Sequence, residues 1–275
     1  MSYERILVPL DGSKLAEQAL PYAGLFAKGL KVPIHLLRVH DPAREGRQTS
    51  TAEHYLSQTT ESLQHAGVPA TWVLSRGEPA RQIANEANSD PNTLVVMASH
   101  GKTGVGRLKL ARVTEEALKD LTVPTLLVRS QLQQHYRPEV NLSDIVVPMI
   151  QSNLAEQVLP HVGQLAPALD ATVVLMTVEQ QAHETSFEGM VARHADAIGY
   201  LDELGQQLTK LGCRVKRGLA HGAPADAILG FVRRAAGYMV AVATIDPLPP
   251  QTIVGRVTRE LVSLSDVPVL VTRAR

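Results

Sequence analysis

The sequence holds a single cysteine, Cys213, among 275 residues. One thiol closes no intrachain disulfide, so a disulfide-stapled secreted scaffold is excluded, and a small buried or half-buried thiol is the plain reading. Aromatic residues are scarce at 4%, and the one tryptophan, Trp72, reads as a core residue of a strand. Net charge is also missing, with 27 basic residues against 27 acidic. The balance holds locally: 15 basic and 13 acidic residues up to position 135 leave 12 and 14 after it. Neither half carries the basic excess of a nucleic-acid binder, so no nucleic-acid partner is expected. No window reaches the ~18 apolar residues of a bilayer span, and MSYERILVPL lacks a basic stretch followed by a long apolar core. The expectations are no membrane association and a cytoplasmic location.

Familiar catalytic patterns are absent as well. The ten histidines fall into no His-x-Glu or His-Glu-x-x-His spacing, and no Cys-x-x-Cys occurs, so metal ligation by the protein is not expected. No Gly-x-Ser-x-Gly elbow appears. Ser13 reads as a helix cap rather than a nucleophile, and His100 as a loop histidine bonded to backbone rather than a catalytic base. No nucleophile, base and oxyanion donors assemble into one pattern. A dedicated enzyme is not expected, and slow hydrolysis of a bound ligand is the most that the sequence allows.

What the sequence has is 44% apolar residues and an internal repeat. RILVPLDGSKLAEQALP (5–21) and DIVVPMIQSNLAEQVLP (144–160) are identical at 10 of 17 positions, offset by 139. Arg76-Gly77-Glu78-Pro79-Ala80 is echoed by His221-Gly222-Ala223-Pro224-Ala225, and VPTLLVRS (123–130) by VPVLVTRA (267–274). A period near 140 is the size of a whole domain, not of a solenoid repeat. Two domains are expected, 1–132 and 140–275, joined by the polar segment QLQQHYRPEVN (131–141).

Each half alternates strand and helix patterns. Strands are expected at 6–10, 34–39, 70–74, 93–98 and 124–128. Helices are expected over 14–28, 52–66, from about Pro79, and over 113–121. In the second half, 173–178 and 238–243 read as strands, 268–272 as the closing one, and Leu201, Leu204, Leu208 and Leu211 form one helical stripe. This alternation predicts α/β architecture, two doubly wound parallel-sheet (Rossmann-like) domains in tandem, because parallel strands need right-handed crossovers. In such sheets a ligand lies beyond the carboxyl ends of the strands, where the strand order reverses. That points to Asp11 and to the segment 99–111.

Gly101-Lys102-Thr103 in that segment imitates a P-loop, but Val96 stands where the first P-loop glycine belongs. Gly104-Val105-Gly106 fails as a dinucleotide fingerprint because position 109 is Lys109. Even so, Gly101, Gly104 and Gly106 permit converging backbone N–H groups, Lys102 adds a cation, and a helix begins near Val113 with its positive dipole end. Phosphate binding and a plain solvated loop are evenly matched on these features alone.

ILVPLDGS, SRGEPARQI and MASHGKTGVGRLKLARVTEEALKDLTVPTLLV, in that order, resemble the universal stress protein family, and the repeat extends the resemblance to the second half as a tandem member. ATP-binding members resemble one another in Gly-x-x-Gly, nine residues, then Gly-Ser or Gly-Thr. On this sequence the pattern falls on Ala98, Gly101 and Ala111-Arg112, the last pair a serious departure. The resemblance implies phosphate contacts at Val113 and Thr114, an adenine-side aspartate at Asp11, and an apolar wall from Pro9, Leu10 and Val39. Met97, Ala98, Gly101, Lys102, Ala111 and Arg112 complete the implied site, with ATP and Mg2+ as its occupants. Arg112 either grips phosphate in place of the small hydroxyl or fills the old site by pairing with Glu115 or Glu116. The first outcome makes a nucleotide-responsive regulator; the second makes a protein-interaction module without nucleotide.

In the second half Ile150, Gln151 and Asp246 replace Asp11, Gly12 and Gly101, and Pro247, Pro249 and Pro250 remove backbone donors. That half is expected not to bind ATP in the family manner. The resemblance further implies that single-domain members dimerise through the last strand, a contact the two fused domains can make within one chain; the sequence leaves a homodimer of whole chains open.

Overall fold

The apolar runs of the first half become parallel strands. The computed structural model describes residues 2–41, 49–99, 112–130, 140–149, 153–179, 187–234, 236–244 and 253–273. The chain divides into two units, Met1–Asn141 and Leu142–Arg275.

In the first unit β1 (Arg5–Pro9), β2 (Ile34–His40), β3 (Ala70–Arg76), β4 (Thr93–Ala98) and β5 (Thr125–Val128) lie in the order β3-β2-β1-β4-β5. Every pairing among them is parallel. Strand β4 is buried at all six positions and β5 at all four, as continuous apolar runs covered on both faces should be. Ile6, Leu7, Val8, Ile34, Leu36 and Phe26 build the centre of this core, each fully buried. Each such side chain contributes about 2 kcal/mol of hydrophobic stabilisation.

The helices of this unit are α1 (Leu20–Leu30), α2 (Ser50–His65), α3 (Pro79–Asn88) and α4 (Arg112–Asp120). The segment 14–28, expected as one helix, is divided: a 3-10 turn over Ala16–Ala19 precedes α1. Pro21 sits in the first turn of α1 and has no N–H to give to the preceding turn, so regular α-helical bonding starts only there. Ser13 does cap this region, its Oγ accepting from the Ala16 N–H at 3.2 Å. Trp72 departs from expectation: it is 38% exposed rather than core. Its strand, β3, stands at the end of its unit's strand order and is exposed or half-buried at every position after Ala70.

The second unit repeats the plan with β6 (Asp144–Pro148), β7 (Thr172–Glu179), β8 (Arg214–His221), β9 (Tyr238–Thr244) and β10 (Val269–Arg273), in the order β10-β9-β6-β7-β8, again all parallel. Its helices are α5 (Asn153–Glu156), α6 (Leu159–Ala168), α7 (Phe187–Lys210), α8 (Pro224–Val232) and α9 (Ile253–Leu264). Leu201, Leu204 and Leu208 form the buried stripe of α7. Leu211 leaves that stripe: it lies past the last helical residue and is 58% exposed, in the turn that Gly212 closes at φ +85°. Cys213 is buried, its Sγ 3.8 Å from the Gly163 carbonyl oxygen, and burial pushes its thiol pKa up.

The duplication extends to strained positions. Lys31 after α1 (φ 59°) and Asp170 after α6 (φ 52°) are the non-glycine residues with left-handed backbone among those described, and they sit 139 positions apart. Among the described residues no helix is long and apolar enough to cross a membrane.

Candidate functional site

In the first unit β1 pairs with β2 on one side and β4 on the other, so the strand order reverses between β1 and β4. The carboxyl ends of the three strands therefore stand side by side. Pro9 ends β1 and is buried; Leu10 follows at 4% exposure, its N–H donating to the Leu37 carbonyl at 2.8 Å. Val39 is half-buried near the end of β2. Met97 and Ala98 close β4, both buried. All five are apolar and stand at the carboxyl ends of adjacent strands.

Asp11 is exposed at the rim of this group. Its carboxylate Oδ1 accepts the Ser13 N–H at 2.9 Å, a local turn that fixes the side chain. Gly12 between them has φ +78°, and a Cβ there would lie 2.7 Å from Arg38 Nη1. The left-handed backbone favours glycine here, and the close approach sets the mobile end of the Arg38 guanidinium from β2 beside Gly12. Arg38 gave no signal in the sequence; the matched residues of the second half are Thr177 and Gln151.

On the other side of the crevice, α4 begins at Arg112. Thr114 is buried, and its hydroxyl donates to the Ala98 carbonyl at 3.1 Å, tying the start of the helix to the end of β4. Val113 is half-buried beside it. Arg112 pairs with Glu116, Nε to Oε1 at 2.8 Å, and its side chain is 81% exposed. The hydrogen bond and charge of Glu116 raise the Arg112 pKa further, on a guanidinium that is a cation in any case. Glu116 is one of the two partners named for Arg112 above. Gly101, Lys102, Ala111 and His100 lie outside the described residues.

Two further residues escaped the sequence reading. Glu17, with its side chain only 13% exposed, takes the Tyr55 hydroxyl on Oε1 at 3.2 Å and Lys14 Nζ on Oε2 at 2.7 Å. Burial, then the charge of Glu17, raises the Tyr55 phenol above its ordinary range. The available signal was that Glu17 and Tyr55 both have identical counterparts in the second half, Glu156 and Tyr200.

The second unit keeps the frame and changes the rim. The Met149 N–H donates to the Met176 carbonyl at 2.7 Å, as Leu10 does to Leu37. Thr258, in the place of Thr114, is buried. At the end of β7, Glu179 faces His194 Nδ1 at 3.0 Å and His221 Nδ1 at 3.6 Å, which ties α7 to the strand ends. Ile150, Gln151, Asp246 and the nearby prolines lie outside the described residues. Among the described residues no group of three or more His, Cys, Asp or Glu side chains is placed to hold a metal ion.

Comparison with known proteins agrees with this architecture. The family model for the universal stress protein family matches residues 2–129 and again 142–273. A universal stress protein of Methanocaldococcus jannaschii is 29% identical over 141 residues, covering 46% of this chain and 82% of that protein. The crystal structure of a universal stress protein from Archaeoglobus fulgidus shares the fold over 98% of both chains, with a TM-score of 0.74 at 20% identity. A universal stress protein in complex with cAMP matches 48% of this chain and 100% of its own, with a TM-score of 0.40 and 20% identity. With the family model matched once in each half, the chain belongs to the universal stress protein family as a tandem member.

Proposed function

We propose that the first unit binds an adenine nucleotide, ATP, in the crevice between β1 and β4, and that the chain is a nucleotide-responsive regulator rather than a dedicated enzyme. The observation that carries this reading is the convergence of Pro9, Leu10, Asp11, Val39, Met97 and Ala98 at three adjacent strand ends, with the first turn of α4 tied to the same place through Thr114. The apolar residues accept a base, Asp11 stands at their rim, and the dipole of α4 favours phosphate. Gly101, Lys102 and Ala111 belong to the phosphate side in this reading. Mg2+ arrives with the phosphates, whose oxygens supply its ligands. Occupancy changes the surface presented by residues 99–112, and the second unit takes no ATP.

Arg112 fits the nucleotide reading better than the reading as an interaction module. An exposed i,i+4 ion pair holds weakly, whereas a guanidinium on phosphate gains charge-assisted, bidentate hydrogen bonds. Arg112 can therefore leave Glu116 for a phosphate at little cost. Calorimetry with millimolar ATP and AMP tests the function, together with absorbance at 260 nm of an acid extract from freshly purified protein. Binding is expected, and replacing Ala111-Arg112 with Gly-Ser is expected to leave affinity similar or several-fold weaker. No binding of either nucleotide sinks the proposal, and a sharp gain on replacement restores the module reading.

We propose also that the two units pair within one chain through β5 and β10, each an apolar end strand in its own unit's order, and that whole chains form a homodimer.

A further inference from the structure

We infer that Tyr55 and Glu17 are positioning residues for the nucleotide crevice of the first unit, linking helix α2 to Asp11; the inference rests on the nucleotide reading of that crevice. The link is a continuous run of hydrogen bonds. The Tyr55 hydroxyl donates to Glu17 Oε1 at 3.2 Å, and Lys14 Nζ holds the other oxygen at 2.7 Å. The Glu17 N–H then donates to the Ser13 carbonyl at 3.2 Å, and the Ala16 N–H to Ser13 Oγ at 3.2 Å. The Ser13 N–H in turn donates to Asp11 Oδ1 at 2.9 Å. Five residues thus separate the carboxylate at the crevice rim from a side chain anchored to a helix on the far side of β2.

The second unit supplies the control. Glu156 and Tyr200 make the same bond, Tyr200 Oη to Glu156 Oε1 at 2.9 Å. Glu156 follows Glu17 by 139 positions and Tyr200 follows Tyr55 by 145, so the bond spans the place where the repeat changes its offset. It has survived although Ile150 and Gln151 stand where the first unit has Asp11 and Gly12. The shared duty of the two bonds is to clamp the long helix after the second strand of each unit to the first turn after its first strand. Only in the first unit does that clamp lead to a carboxylate. Burial and the neighbouring carboxylate keep the Tyr55 phenol protonated, so it remains a donor at any ordinary pH.

The test compares Tyr55→Phe with Tyr200→Phe in the full chain, at a temperature where both are fully folded. It reads amide hydrogen exchange at Ala16 and Glu17, and ATP affinity by calorimetry. Tyr55→Phe is expected to speed exchange at those two amides about fivefold or more and to weaken ATP several-fold. Tyr200→Phe is expected to lower the thermal midpoint comparably while leaving both readouts unchanged. Glu17→Gln, which keeps an acceptor oxygen for Tyr55, is expected to restore most of the affinity that Glu17→Ala loses. Unchanged exchange in Tyr55→Phe overturns the inference, and so does equal weakening of ATP by Tyr200→Phe. If the parent protein takes no ATP, the nucleotide reading falls, and exchange at Ala16 and Glu17 still decides whether Tyr55 positions that turn.

Discussion

At the scale of single residues, His161 carries the clearest dependence on solution conditions. It lies in the first turn of α6, buried, and burial lowers its imidazole pKa to about 4. An unfolded chain holds that proton below about pH 6.5. Between those two values the unfolded state therefore binds a proton that the folded state does not. The second unit keeps its full stability above pH 7, loses it progressively as pH falls through 6.5 towards 4, and loses no more to this group below that. The full loss is on the order of 3 kcal/mol. Urea midpoints at pH 7.5 and pH 4.5 check it, the gap between them being expected to shrink in His161→Gln relative to the parent. An equal gap in both proteins removes His161 as the cause.

Single residues also mark how far the site could be read from sequence. Those at strand ends were legible, because fully buried parallel strands are continuous apolar runs whose carboxyl termini are easily placed. Arg38 was not legible, because its approach to Gly12 depends on side-chain direction across two strands. Nor was the Tyr55–Glu17 bond, whose partners are 38 residues apart and betray themselves only through identities at two different repeat offsets.

At the scale of elements, α3 and α8 occupy matching places in the two units but start differently. Glu78 precedes α3, and its two carboxylate oxygens accept the Ala80 N–H at 3.0 Å and the Arg81 N–H at 2.8 Å. Ala223 precedes α8 and offers nothing to the corresponding donors. Both helices have proline in the first turn, which fixes their starting point independently of the cap. Glu78→Ala is therefore expected to cost about 1 kcal/mol, and Ala223→Glu to gain up to a similar amount. Equilibrium urea unfolding measures both, and no loss in Glu78→Ala would show the cap to be idle. Elements were largely legible where periodicity and punctuation agreed. Residues 93–98 emerge as a strand with the expected bounds, whereas the expected helix over 14–28 gives way to a 3-10 turn and a helix, because apolar spacing alone does not register the missing N–H of Pro21. Trp72 misled for a different reason: a large apolar residue signals burial, but position within the sheet decides it.

At the scale of the whole molecule, the duplication explains why the second half persists after its rim has changed. Its strand order, its left-handed residue after the first long helix and its Tyr–Glu clamp are those of the first half, while Asp11 and Gly12 have no equivalents. On the proposed nucleotide reading, such a unit serves through its surfaces rather than through a ligand. If the two units pair through β5 and β10, residues 1–141 expressed alone leave an apolar end strand uncovered. Sedimentation is then expected to find that half self-associated at concentrations where the full chain forms no species larger than the proposed dimer. A monodisperse, monomeric first half would argue against the pairing.

The burial of Cys213 has a practical consequence. The chain has one thiol, shielded in the second unit, and one indole, Trp72, in the first. A thiol-reactive dye can therefore time the opening of the second unit while tryptophan emission follows the first, in the same sample and without any engineered label. Nature has left each half with its own stopwatch.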